Sequence, residues 1–431
     1  MPVSGTEAAA GTPPRHGPAE LVTVAEHRRA CLDLVQPLAP LEASLLDALG
    51  CVLAEDVVAT RPLPAFDNSA MDGYAVRVAD VAEATPASPV RLPVVADLAA
   101  GSAESMRLAP GSAVRIMTGA PVPPNTGAVV PVEWTDGGVA SVEVRHCPAE
   151  GQHIRRAGED AAAGVVVVEA GTRLQPRHVA VLAAVGRARV RVRPRPRVVV
   201  ISTGSEVVEP GQSLGPGQLH DANGFGLTAA ALDLGAQAYR VGVVRDDPAE
   251  LRRTLEDQLV RADVIVTSGG VSAGAYDVVK EVLHRTGSVG FCGVAMQPGM
   301  PQGAGTLGED RTPLLALPGN PVSAFVSFEV FVRPVLRRLL GEDPEAPDPQ
   351  RPRVRALAAA AWRSPAGKEQ YVRARWWRDG DGALRVEPVS GAGSHLVTAL
   401  ARADCLAVVP VGVDGVEVGD EVECVLLGPA A

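Results

Sequence analysis

Aromatic residues are scarce in this sequence: Phe, Trp and Tyr make up only 3% of its 431 residues, so its cores must be built from Ala, Val and Leu. The six cysteines, at 31, 51, 147, 292, 405 and 424, form no CxxC pair, which excludes zinc-ribbon spacing. No run of about 20 apolar residues occurs, so no membrane-spanning helix is expected. No basic n-region followed by an apolar stretch opens the chain, so no secretory signal is expected. The basic excess needed to grip a phosphate backbone is also missing. The formal net charge is −10, so nucleic acid is not expected as the partner. Together these absences point to a cytoplasmic protein with reduced thiols. Hydrophobic residues at 46% and charged residues at 21% give the profile of a globular chain. The 45 glycines and 37 prolines promise many turns.

Residues 1–20 are rich in Gly, Pro, Ala, Thr and Ser without period and read as a disordered tail. Thr23-Val24-Ala25-Glu26 is a capping box, with a helix expected to about Val35. A second short helix is expected over Leu41–Leu49, stopping at Gly50. Residues 59–154 alternate short β-branched runs with Gly/Pro turns and read as a small β-rich domain. Residues 21–58 and 155–196 together form a discontinuous α/β linker domain. Arginines at 187, 189, 191, 193, 195 and 197 share one face of an extended segment, either a solvated strand face or a surface for an acidic partner. Over 197–342, apolar strands alternate with helices, which predicts a doubly wound parallel sheet covered on both faces. Asp247-Pro248 and Asn320-Pro321 read as helix starts, each a cap followed by an N1 proline. Residues 343–431 are Val-rich with Gly turns and read as a second small β domain.

Ligands of a doubly wound sheet bind beyond the carboxyl ends of its strands. Three loops lie at such ends: Ser202–Glu206, Thr267–Gly274 and Leu317–Pro321. Each joins an apolar strand to a helix through glycine and hydroxyl residues, the composition of a phosphate cradle. Glu206, Asp246, Asp247 and Asp277 sit beside them, and carboxylates next to bound phosphate imply a bridging divalent cation such as Mg²⁺. Asp247 and Asp277 could instead cap helices. Phe66–Ala75 and Arg115–Ala120 gather acids, amides and hydroxyls into short turns, where ordinary turn chemistry is the competing explanation.

Phe66–Val76, Arg115–Ala120, Gly158-Glu159-Asp160, Thr203–Glu206, Ser268–Gly274 with Asp277, and Leu317–Ala324 occur in this order after residue 20. The set resembles the molybdopterin molybdenumtransferase family (MoeA and the gephyrin E domain). That resemblance implies a central molybdopterin-binding-like domain, insertion of molybdate into adenylylated molybdopterin with release of AMP, a divalent cation and a homodimer of four-domain subunits. It implies that Thr203, Gly204, Ser268, Gly269, Gly270, Ser272, Gly274, Pro318, Gly319, Asn320 and Pro321 hold the substrate. It further implies that Glu206, Asp246 or Asp247, and Asp277 manage the cation and charge, that Asp72 and Thr118 act from the partner subunit, and that Arg373 binds an anion.

The sequence also departs from the family pattern. Where many relatives have Lys-Pro-Gly-Lys-Pro, this chain has Gln297-Pro298-Gly299-Met300-Pro301, and Ala399 replaces a serine. This motivates an alternative, a gephyrin-like scaffold with weakened insertion activity and a protein partner at the C-terminal domain or dimer interface. Adenylyl transfer to molybdopterin is a third, weaker reading.

Overall fold

The computed structural model describes residues 21–102, 106–271 and 278–428. The expected tail at 1–20 lies outside the described residues. The chain forms two compact units, one of residues 41–192 and one of residues 1–40 with 193–431.

In the unit of residues 41–192, five strands pair in the order Ala128–Pro131, Gly73–Val76, Ala113–Ile116, Val90–Leu98, Ser141–Val144. Their alternating side chains bury both faces. Tyr74, Val76 and Val130 enter one apolar layer, while Ala75, Val114 and Val129 enter the other. A smaller sheet pairs Leu41–Ser44 and Val52–Leu53 with the strand Arg189–Arg193. The helix expected over Leu41–Leu49 therefore does not form. Leu41–Ser44 is instead a strand in register with Arg189–Val192, followed by turns that end at Gly50, whose φ is +81°. Period-two pairing with the arginine-rich strand overrides local helix propensity there.

That strand buries Val190 and Val192 and turns its arginines outward. They are answered from within the chain: Arg189 bonds the Glu42 carbonyl (3.0 Å) and Arg191 pairs with Glu55 (3.5 Å). Arg189 and Arg191 are exposed on the outer face of this strand, while Arg193 is half-buried.

In the other unit, the helix Val24–Asp33 opens with the expected box. Thr23 Oγ1 accepts from the Glu26 amide, and the Glu26 carboxylate accepts from the Thr23 amide. Its buried His27 stacks edge-on against Phe331 at 4.7 Å and sits between the thiols of Cys31 and Cys292. Burial pushes its imidazole down to about 4, so it is neutral in the fold. The unfolded chain binds that proton more readily. The stabilisation from a neutral His27 is therefore complete above about pH 6.5, falls as pH drops through the window, and is exhausted below about pH 4. Its full size is about 3 kcal/mol, of which about 2 kcal/mol is lost between pH 7 and pH 5. Urea denaturation at these two pH values should show a smaller loss in His27→Leu than in the wild type. Equal losses would assign the acid sensitivity to other groups.

The central sheet has six strands in the order Gln237–Val244, Arg197–Thr203, Val264–Ser268, Thr312–Leu317, Pro301–Leu307, Gly287–Gly293. The first four are parallel, as expected for a doubly wound sheet. The last two are antiparallel additions that the sequence reading did not anticipate. Both are broken by glycines and carry no apolar period to read. Val199, Ile201, Ile265 and Leu314 are fully buried in the core beneath the flanking helices.

The last helical stretch of this domain runs from Pro321 to Leu339 and includes a π-turn at Phe328–Val332. Glu329 on that turn and Arg333, Arg337, Glu342, Asp348 and Arg351 form a buried ion network with the linker that follows. Beyond the linker, strands Arg353–Ala358, Glu369–Arg378, Leu384–Pro388, Cys405–Val409 and Glu421–Leu426 make the C-terminal sheet. Met296–Gln297, from the central domain's chain, joins this sheet as an edge strand beside Glu369–Gln370. Among the described residues, no helix is long and apolar enough to cross a membrane.

Candidate active site

Three neighbouring parallel strands, ending at Thr203, Ser268 and Leu317, deliver their loops to one cavity of about 770 Å³. Thr203, Gly204 and Glu206 line it from the first loop, Ser268, Gly269 and Gly270 from the second, and Pro318, Gly319, Asn320 and Pro321 from the third. Asp246, which follows the strand Gln237–Val244, lines it as well. Sequence reasoning named all of these residues, and the fold brings them together. Ser272, Gly274 and Asp277 lie outside the described residues.

The loops are cross-linked. Thr203 Oγ1 donates to the Ser268 carbonyl (3.2 Å), and the Gly269 amide donates to the Leu317 carbonyl (3.1 Å). Asn223 Nδ2 donates to Ser268 Oγ (2.6 Å) and to the Gly319 carbonyl (2.7 Å), tying the second loop to the third. Below it, Asp221 caps the helix Ala222–Asp233 through the Gly224 amide (2.8 Å) and also accepts from Ser202 Oγ (2.8 Å) and Arg240 (3.2 Å). Arg240 is held in turn by both oxygens of Glu209. Sequence reasoning missed Asp221, Asn223, Arg240 and Glu209. Asp-x-Asn at a helix start was the one available signal, since Asp is a preferred cap.

Asp246 and Asp247 have different roles. Asp247 accepts from the Glu250 amide (2.7 Å) and caps the helix Pro248–Leu259, so it serves structure rather than the cavity. Asp246 faces the cavity, with its carboxylate accepting from the Ser205 amide (3.0 Å). Among the described residues, no three His, Cys, Asp or Glu side chains are grouped to hold a metal unaided.

Two further residues named from the sequence make bonds that it did not foretell. Asn320 stands at the N-cap with Pro321 at N1, as expected, but its side chain makes no capping bond: Nδ2 donates to Ser394 Oγ (3.0 Å). Arg373 borders a second cavity of about 250 Å³, beside Gln297 and Gln370. Its guanidinium is buried and donates to the carbonyls of Gly391 (2.7 Å), Gly393 (3.1 Å) and Leu396 (2.8 Å), and burial lowers its pKa.

Gln297 and Met300 also have partners. Gln297 Oε1 accepts from Gln370 Nε2 (2.9 Å), and the Lys368 ammonium lies 3.7 Å from Met300 Sδ. In the unit of residues 41–192, Asp72 accepts from both the amide (2.7 Å) and the hydroxyl (2.8 Å) of Thr118. Those two bonds hold its carboxyl below the usual range.

Comparison with known families places this geometry. The MoeA N-terminal region (domain I and II) matches residues 22–186, the probable molybdopterin binding domain matches 199–338, and the MoeA C-terminal region (domain IV) matches 355–427. A Mycobacterium tuberculosis protein named molybdopterin molybdenumtransferase 2 is 47% identical over 407 residues, covering 93% of this chain and 98% of that protein. The chain belongs to the molybdopterin molybdenumtransferase family. A Haemophilus influenzae molybdopterin molybdenumtransferase is 35% identical, covering 88% of this chain and 92% of its own. A solved MoeA protein from Pyrococcus horikosii matches with a TM-score of 0.80 at 31% identity, covering 95% of this chain and 100% of that one. These relatives lend the scaffold alternative no support. Within the family frame, the cavity lies in the stretch matched by the molybdopterin binding domain, closed on one side by His395 and Val397 from the C-terminal stretch.

Proposed function

We propose that this chain inserts molybdate into adenylylated molybdopterin, releasing AMP and yielding molybdenum cofactor. The observation that carries the reading is the convergence of three cross-linked glycine and hydroxyl loops with Glu206 and Asp246 on one cavity at the carboxyl edge of the sheet. Backbone amides at such loops bind phosphate, and the third loop opens directly into a helix. Mg²⁺ is commonly held by one or two carboxylates together with substrate phosphates. Glu206 and Asp246 fit that pattern, and the ion would supply neutralisation of phosphate charge. The chain's own contribution is to hold the substrate in one orientation and to meet developing charge with fixed dipoles. A cytoplasmic location and a homodimer belong to the same reading.

The test is AMP release by the purified chain, titrated with molybdate in the presence of Mg²⁺. Saturable, molybdate-dependent release is expected. Asp246→Asn should lower it at least about tenfold. Asp247→Ala should cost only about 1 kcal/mol of stability through the lost cap, with little change in rate. If no molybdate level supports AMP release, the proposal fails.

A further inference from the structure

The charge balance of the cavity leaves one residue unassigned. Among the described lining residues there is no Lys or Arg, while Glu206, Asp221 and Asp246 are acidic. The whole sequence has two lysines, Lys280 and Lys368, and neither lines the cavity. A phosphate-bearing ligand must nevertheless sit there if the proposed function holds. The lining side chains able to carry positive charge are His220 and His395. His220 is already engaged, with Nε2 lying 2.9 Å from the Gln212 carbonyl and therefore donating to it. His395 is exposed, and its imidazole has no hydrogen-bond partner among the described residues.

The loop that carries His395 is held unusually firmly. Arg373 donates to the carbonyls of Gly391, Gly393 and Leu396. Asn320, itself a cavity residue, donates to Ser394 Oγ, and the Val322 amide donates to the Ser394 carbonyl (3.2 Å). The imidazole folds back over Gly393, where a Cβ would come within 3.0 Å of His395 Cε1. Five hydrogen bonds thus fix a loop whose one unbonded polar side chain faces the phosphate cavity. Such preorganisation favours a group that must meet charge without rearranging.

We infer that His395 is a substrate-binding residue, which as imidazolium meets the phosphate of the adenylyl group and supplies a positive side chain that the described lining has from no Lys or Arg. Arg373 and Asn320 act as its positioning residues. The inference rests on the substrate reading given above and adds the group that recognises the anion. The other charged and titratable groups of the cavity lining are Glu206, Asp221, Asp246 and His220, and the Arg373 guanidinium binds the carbonyls of the loop.

The test is calorimetric titration of the full chain with AMP and Mg²⁺ at pH 6.5 and pH 8.5. Wild type, His395→Ala and His395→Lys are compared as ratios of Kd, in which the nucleotide's own ionisation cancels. His395→Ala should weaken AMP binding about tenfold at pH 6.5 and about twofold at pH 8.5, as expected for loss of a charge-assisted hydrogen bond. His395→Lys should bind within about twofold of wild type at pH 6.5 and at least as tightly at pH 8.5. His395→Ala binding like wild type at both pH values would overturn the inference and leave the substrate reading standing. A loss that is equal at both pH values and not restored by lysine would overturn the charge role. Absence of AMP binding by the wild type would remove the substrate reading and this inference together.

Discussion

Gly269→Ala should lose at least about 100-fold in kcat/KM for cofactor formation, because misplacing a binding loop by about 1 Å is enough for such a loss. The backbone of Gly269 has φ +99°, which L-residues rarely adopt. An added Cβ would lie 2.6 Å from the Thr203 carbonyl oxygen and 2.8 Å from Thr203 Oγ1. Thr203 is buried at the end of its strand and cannot retreat, so the second loop must swing away from the first and strain its Leu317 contact. The strained conformation adds about 1–3 kcal/mol of instability. Gly226→Ala is the matched control, since a Cβ there meets nothing within 4 Å. In a helix interior it should be neutral or stabilising by up to about 1 kcal/mol. Initial rates and thermal melts of the two variants decide the matter. Wild-type kcat/KM in Gly269→Ala would show that the reaction does not use this cavity.

Glu329→Gln should cost about 3–5 kcal/mol, the range for removing one partner of a buried ion pair. The Glu329 side chain is 4% exposed and faces Arg333 (3%) and Arg351 (10%). Arg351 grips both of its oxygens at 2.9 and 3.0 Å. Arg333 already has a buried Nη1 without a partner, so the network has no spare acceptor to absorb the loss. Glu256→Gln breaks an ion pair with Arg252 that is more than half exposed on both sides, and should cost no more than about 0.5 kcal/mol. Urea denaturation of both variants checks the contrast. Equal, small losses would mean that water or rearrangement relieves the buried charges.

The cavity loops were legible in the sequence because each sits where an apolar strand stops and a cap or glycine begins, a signal carried by neighbouring residues. What was illegible depends on distant partners. Asn223 reaches Ser268 and Gly319, 45 and 96 positions away, and nothing local foretells either bond. Asn320 has the residue type and the following proline of a cap, yet a hydroxyl 74 positions later captures its side chain. Arg373 was read by analogy as an anion ligand, and nothing local foretold its bonds to the carbonyls of a loop some 20 positions later. Pro248 already marked Asp247 as a cap in the sequence, while leaving open which of Asp246 and Asp247 serves the cavity. The helix start resolves them by claiming the second. Leu41–Leu49 has the composition of a helix, and only its pairing with Arg189–Val192 reveals a strand.

The short ladder between Met296–Gln297 and Glu369–Gln370 bears on how such proteins could be recombined. The C-terminal sheet borrows an edge strand from chain that precedes the paired strand by some 70 residues, so its boundary in sequence is not its boundary in space. Grafting residues 353–428 onto another central domain would bring a sheet lacking its edge. Removing them would leave Met296–Gln297 without a neighbour, and Gln297 would lose the amide that orients it. The two parts are therefore expected to be inherited and exchanged as one piece, with the Gln297–Gln370 pair changing together.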